Sequence, residues 1–452
     1  MDTIRATTPF RDSFLGKRDL LPKKSPLNYQ STRKQSASGP QLIRVKYVAF
    51  FWLKYLFFVH MVSYISASYV YTIVGNPMKN GVIGLDAEGT IIEVLSAEEA
   101  LAREITDIKT YEGLIVPGFV NSHCHLELST LKGVIEKHTG LVSFVQQVMN
   151  LRTVDEYLLD TAMLRADIEM FECGIAAVAD ISNQSVSRMV KRGSLICYHT
   201  FVEAIGFDPE KADVAMARAL NVRDEFAPLS VSIVPHAPYS VSGQLFENIK
   251  ILAEQNNSLI SIHNQESADE NTFFEKVEGD FLELYYSLGL DISFFKGSGK
   301  SSLQTFLPML SSQQKTLLVH NTFSSTQDVE FAKANHSNLY WCLCPNANLY
   351  IEGRLPEVKM MQDAGLKITL GTDSLASNDR LSIFAEMLTL QEQAGIKIDD
   401  LLKWATFNGA EFMGIEGRFG SIEKNKRPGI NLLGYKEAAG SIVLTDFIKR
   451  LY

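Results

Sequence analysis

Val116-Pro117-Gly118-Phe119-Val120-Asn121-Ser122-His123-Cys124-His125 reads as an apolar strand that ends in two histidines one residue apart. Successive side chains of a strand point to opposite faces, so residues i and i+2 share a face. His123 and His125 can therefore offer two imidazoles to one metal ion, while Cys124 points away. A His-x-His pair alone is a weak signal. Three more residues strengthen it, because each closes a strand-like run of its own: His263, His320 and Asp373.

Eight such runs follow one another, at 114–125, 176–181, 195–202, 229–236, 259–263, 316–320, 339–343 and 367–372. Helix-like stretches such as 155–172 and 243–255 lie between them. Apolar strands alternating with helices mark parallel βα units. Eight units predict an α/β fold, a closed (β/α)8 TIM-type barrel with its chemistry at the carboxyl ends of the strands. Residues 61–112 carry short strands and turns instead, and the tail returns to short strands after two helices at 382–394 and 399–413. The expected organisation is a small discontinuous β-sandwich, 61–112 and 416–452, with the barrel at 113–415 inserted in it. The longest connection, about 267–315, is rich in aromatic residues and reads as a lid or a substrate wall, with plain helix core as the alternative. Within it, Gly297-Ser298-Gly299-Lys300-Ser301 mimics a phosphate loop, but Phe294 stands where that motif needs glycine and no strand leads in.

Three imidazoles and a carboxylate, His123, His125, His263 and Asp373, suit one divalent ion, with Zn2+ expected and Fe2+ or Mn2+ as alternatives. Such an ion eases deprotonation of a water. Glu266 follows His263 by three residues, so a short turn can place it to carry that proton to a substrate nitrogen. His320 can ligate the ion or hydrogen-bond the attacking oxygen, and the second role is favoured. Asp373 can both ligate and orient. Each residue alone has an ordinary explanation: a core histidine, a turn carboxylate at Asp373, a helix cap at Glu266. Their joint occurrence in barrel order does not. His60, His138, His199 and His336 lack that placement and read as structural. His125-Leu126-Glu127 also fits the compact zinc nucleobase deaminases, but their downstream Pro-Cys-x-x-Cys is absent.

Composition narrows the rest. The chain has 452 residues, 46% hydrophobic and 21% charged, with net charge −9. Residues 1–60 hold 11 Lys and Arg against 3 Asp and Glu, and the remainder 32 against 49. An acidic body argues against nucleic acid as partner and leaves a small molecule as the expected one. A homodimer stays open. Five scattered cysteines, with Cys342-x-Cys344 read as core, suit a reducing, cytoplasmic setting. Residues 1–40 lack periodicity and read as disordered. The aromatic run 47–59, extended to 65, reaches bilayer length only with Lys54 at its centre. The preferred reading makes 1–60 an upstream extension with Met61 as the start. A membrane anchor and a soluble extra helix are the alternatives.

The motifs in order, Pro117–Gly118 through His125, Ser261-Ile262-His263-Asn264-Gln265-Glu266, Leu318-Val319-His320 and Leu370-Gly371-Thr372-Asp373-Ser374-Leu375-Ala376-Ser377-Asn378, resemble the amidohydrolase superfamily. The resemblance is to its branch of cytosine, S-adenosylhomocysteine/methylthioadenosine and aminodeoxyfutalosine deaminases. It implies a single metal, since the fourth strand has no lysine to bridge two. It implies substrate contacts by His236, in His236-Ala237-Pro238-Tyr239, and by Asn348, in Cys344-Pro345-Asn346-Ala347-Asn348, where Ala347 departs from the usual serine. The expected reaction is hydrolytic deamination of an amino-substituted heterocycle, adenine-nucleoside-like, with aminodeoxyfutalosine the specific candidate. Cyclic amide hydrolysis or chlorohydrolysis on the same barrel is the alternative, and a non-catalytic, membrane-tethered metal-binding protein is the reading from another class.

Overall fold

The computed structural model describes residues 62–438 and 440–452. The expectations for residues 1–60 and for a start at Met61 lie outside the described residues. Among the described residues no helix is long and apolar enough to cross a membrane.

Strands from both ends of the described chain build one sheet. They are β1 (Ser63–Val70), β2 (Met78–Lys79), β3 (Val82–Leu85), β4 (Ile91–Leu95) and β5 (Ile108–Pro117), joined by two strands from the tail. Eight strands then alternate with helices: β6 (Phe119–Cys124), β7 (Ile175–Ser182), β8 (Cys197–Ala204), β9 (Ser230–Pro235), β10 (Ile260–Asn264), β11 (Thr316–His320), β12 (Leu339–Leu343) and β13 (Ile368–Leu370). The tail strands are β14 (Ile430–Ala438) and β15 (Ser441–Arg450). The first sheet runs β15-β14-β5-β1-β3-β4, with β2 on β1. Its apolar side forms a cluster of its own around Ile65, Ile83, Leu85, Ile115, Ile430 and Leu432.

The eight middle strands form two parallel four-stranded arcs, β6-β7-β8-β9 and β10-β11-β12-β13. A parallel bridge between Cys124 and Asp373 joins β6 to the end of β13. The His263 N–H donating to the His236 carbonyl, 3.0 Å, joins β9 to β10. Both seams of the barrel thus run through predicted site residues. Most barrel strands are buried along their whole length, as expected of parallel strands covered on both faces. Buried amides stitch the closure: Asn121 donates to Thr372 Oγ1 at 2.8 Å and accepts from the Thr372 N–H at 3.1 Å.

Two sequence expectations need correction. The run 114–125 is not one strand. Residues 114–117 close β5, pairing with β1 and β14, and the first barrel strand starts at Phe119. The sheet therefore extends past the expected boundary at 112. The break falls at Gly118, whose N–H bonds the Gly429 carbonyl. A Cβ there would stand 2.4 Å from the Pro428 oxygen and 2.7 Å from Ala176 Cβ. Gly118→Ala is expected to cost about 1–3 kcal/mol through overpacking, read as a lower denaturation midpoint at unchanged slope. Second, the helix expected at 399–413 is two helices, Ile398–Ala405 and Phe407–Met413, broken at Thr406, where the backbone leaves helical geometry.

Candidate active site

The carboxyl ends of the barrel strands carry His123 and His125 (β6), His263 (β10), His320 (β11) and Asp373, just beyond β13. Gly371 lets β13 approach: a Cβ there would meet His123 Cβ and Cys342 Sγ, each at 2.8 Å. His320 and Asp373 adopt left-handed backbone, φ 73° and 55°, a conformation that costs a non-glycine residue energy and recurs at functional sites.

Four donor atoms converge. His123 Nε2 and His125 Nε2 are 3.1 Å apart, His125 Nε2 and His263 Nε2 3.3 Å. Asp373 Oδ1 lies 3.5 Å from His123 Nε2 and 3.4 Å from His125 Nε2. Burial, then the neighbouring imidazoles, hold His263 well below the ordinary histidine range; burial and His123 do the same for His125. Burial would raise the Asp373 carboxyl, but the His123 hydrogen bond and the surrounding imidazoles hold it well below the usual range. His263 Nδ1–H donates to the His236 carbonyl at 2.7 Å, so its Nε2 carries a bare lone pair. Bare imidazole lone pairs facing one another repel unless a cation lies between them. These four separations are those of donors that share one ion at bonds of about 2.1 Å, the length zinc takes to nitrogen and oxygen. The donor set fits a divalent ion.

Glu266 lies beside this cluster, its Oε1 3.6 Å from His320 Nε2. The turn that aims it is built locally. Gln265 is left-handed, φ 47°, and the Glu270 carboxylate accepts from the N–H groups of Gln265 and Glu266 at 2.9 and 3.2 Å. The helix Ala268–Lys276 is capped by Ser267, which leaves the Glu266 side chain free. Burial, reinforced by the negative Asp373 and Glu270, lifts the Glu266 carboxyl well above the usual carboxylate range.

A cavity of about 430 Å³ opens over the cluster, lined by His125, His236, His263, Glu266, His320 and Asp373 at its inner end. Phe144, Val148, Phe207, Leu284, Tyr285 and Leu288 give it an apolar stretch of wall. The connection 267–315 thus supplies a wall, as expected. Tyr285 stacks on Phe207 at 5.0 Å and its hydroxyl donates to the Tyr239 carbonyl. Phe306 departs from that expectation and packs against Phe246 on the outside of the barrel.

Asn348, expected to contact substrate, stands behind the cavity wall. It is buried and absent from the cavity lining. Its Oδ1 accepts from His320 Nδ1 at 2.9 Å, because the helix Pro345–Glu352 presents it behind the imidazole rather than above it. An amide oxygen only accepts, so His320 carries its proton on Nδ1 and turns a bare Nε2 toward Glu266. Asn348→Ala is expected to lower kcat about tenfold or more at unchanged metal content, because the imidazole loses the bond that fixes its tautomer. Equal kcat in the variant would remove that role.

Sequence reading missed a polar wall opposite Glu266. Glu203, near the end of β8, accepts from Asn183 Nδ2 at 2.8 Å. Arg152 donates to Glu127 Oε1 at 2.9 Å and to Asn183 Oδ1 at 3.3 Å. Arg152, Asn183 and Glu203 all line the cavity. Burial pushes the Glu203 carboxyl up to about 8. The third strand-like run was read only to residue 202, one short of Glu203. His199 and His336, read as structural, bond Ser230 and Ser232, and Thr316, away from the cavity.

Residues 114–449 match the model of the amidohydrolase family. An adenosine deaminase of Helicobacter pylori is 28% identical over 331 residues, 72% of this chain and 80% of that protein. A 5-methylthioadenosine/S-adenosylhomocysteine deaminase of Teredinibacter turnerae is 27% identical over 333 residues, 70% of each chain. The crystal structure of Helicobacter pylori aminofutalosine deaminase with methylthio-coformycin superposes with a TM-score of 0.69 at 24% identity, covering 83% of this chain and 93% of that one. Amidohydrolases are metal-dependent, in keeping with the donor cluster. The chain is a hydrolase acting on carbon–nitrogen bonds, and it belongs to the amidohydrolase family.

Proposed function

We propose that the protein is a zinc-dependent hydrolytic deaminase of an adenine nucleoside with an apolar substituent at its 5′ end. The observation that carries this reading is the mixed cavity: the ionisable side chains at the strand ends line it together with a group of aromatic and aliphatic ones, Phe144, Val148, Phe207, Leu284, Tyr285 and Leu288. A nucleoside's polar, amine-bearing ring suits the first, and a bulky 5′ group suits the second. The deaminases among its relatives support the same chemistry. Aminodeoxyfutalosine is the specific candidate, and five free cysteines suit a cytoplasmic protein.

His123, His125, His263 and Asp373 would hold the ion, whose chemistry is to make a water more acidic and to stabilise negative charge on oxygen. Glu266 takes a proton from the attacking water as the C–O bond forms. It returns that proton to the amine nitrogen as the C–N bond breaks and the ring C=N pair displaced by the attack re-forms, so ammonia leaves; the remaining hydroxyl proton passes to the ring nitrogen, which gives the oxo heterocycle. Its raised proton affinity suits both directions. His320 Nε2 accepts a hydrogen bond from the attacking oxygen and fixes its direction. His236 lines the same wall and holds the ring in place. Aromatic walls exclude bulk water, which strengthens each of these interactions.

Ammonia release should be measured with adenosine, 5′-methylthioadenosine, aminodeoxyfutalosine and cytosine, and chloride release with a chlorinated triazine. Turnover confined to the nucleosides, and greatest with a 5′-apolar one, is the expected outcome. Turnover of cytosine or the triazine alone would overturn the proposal in favour of the other ring chemistries.

A further inference from the structure

We infer that Glu386 is a positioning residue for the deamination: from behind the site it fixes the place of His320 relative to Asp373, an inference that rests on the deaminase reading above. Glu386 is fully buried on the helix Ile383–Ala394 and does not line the cavity. Its hydrogen-bond partners are two asparagines, with no Lys or Arg among them. Burying a carboxyl without a cation is costly, and apolar contacts would join the surrounding elements at less cost. What a carboxyl adds is direction, and both of its oxygens use it.

Oε2 accepts from the Asn346 N–H at 2.8 Å. Asn346 is the second residue of the helix Pro345–Glu352. Pro345 has no N–H, so this donor is the first that the helix leaves without an internal partner. One turn along the Glu386 helix, Thr389 Oγ1 donates to Asn346 Oδ1 at 2.7 Å. The two bonds set where the short helix starts. Asn348, two residues on, is the one hydrogen-bond partner of the His320 imidazole among the described residues. Oε1 accepts from Asn378 Nδ2 at 2.8 Å, and the same amide nitrogen donates to the Thr372 carbonyl at 2.9 Å. That carbonyl belongs to the peptide unit leading into Asp373. One carboxyl thus ties the helix that holds the His320 tautomer to the loop that carries Asp373. Asp373 has further restraints of its own: its N–H bonds the His123 carbonyl at 3.1 Å, and its Oδ2 accepts from Ser377 Oγ. Loss of the tie therefore displaces His320 and leaves the metal ligands in place.

The test is a double-mutant cycle of Glu386→Gln with Asn348→Ala. It reads kcat and KM for ammonia release from the adenine nucleoside that wild type turns over fastest, and bound metal by elemental analysis. Glutamine keeps the shape of the side chain but turns an NH2 group onto one of two N–H donors, so one tie is lost. Turnover is expressed per bound ion, so unfolded protein does not count. Glu386→Gln is expected to retain its metal, to leave KM little changed and to lose about 10–100-fold in kcat per bound ion, the range of a slight misplacement of a reacting group. The double variant is expected to lose no more than about threefold beyond Asn348→Ala alone, because both changes act on one imidazole, whereas independent residues would lose the product of the two. Unchanged kcat per bound ion in Glu386→Gln, or multiplied losses in the double variant, overturns the positioning role while deamination stands. A Glu386→Gln variant that binds no ion moves the effect to the ligand set and overturns it too. Wild-type enzyme that deaminates no nucleoside overturns the deaminase reading and this inference with it.

Discussion

Glu266→Gln is expected to keep its full complement of metal and lose about 10²–10⁴-fold in turnover, the range of general acid–base catalysis. The substitution preserves shape and the N–H bonds that Glu270 receives from the preceding turn. It removes only the capacity to take and return a proton. Burial has already raised the affinity of this carboxyl for a proton, and its place beside the donor cluster, 3.6 Å from His320, makes it the proton carrier. Asp373, by contrast, is held well below the usual range and stays an anion. Metal content by elemental analysis and ammonia release on the same preparation check the prediction. A glutamine variant with normal turnover takes Glu266 out of the mechanism.

His263→Ala is expected to fail at an earlier step. One of four converging donors disappears, so the ion leaves and turnover falls to background. Because the ion binds the folded chain, its loss also removes stabilisation, about 2.7 kcal/mol for a ligand present at a hundred times its Kd. Chelator-treated wild type should therefore melt lower than metal-loaded wild type. Added zinc should raise the wild-type Tm and leave that of His263→Ala unmoved. A variant that retains stoichiometric metal would show that His263 is not a ligand.

The residues legible in the sequence are those whose position follows from a local rule. His123 and His125 share a face by strand parity, and His263, His320 and Asp373 stand at strand ends that apolar runs announce. Asp155 and Ser382 mark helix starts, and the structure uses both as caps. What was not legible depends on partners distant in the chain. The break at Gly118 is set by Pro428 and Gly429, which no local pattern near 114–125 reveals. Asn348 sits behind His320 because of how the helix after β12 packs. Glu203 and Arg152 join one wall through Asn183, a contact between three segments distant in the chain. Glu203 had one available signal, a carboxylate near the carboxyl end of a barrel strand. Buried acids at strand ends merit the attention given to histidines there.

The most direct test of the account is a crystal structure of metal-loaded protein with anomalous scattering at the zinc edge. The account predicts one ion, bonded at about 2.0–2.2 Å to Nε2 of His123, His125 and His263 and to Asp373, and within reach of Glu266 and His320 across an open side facing the cavity. An ion bound elsewhere, or those four side chains held too far apart to share one, would contradict it.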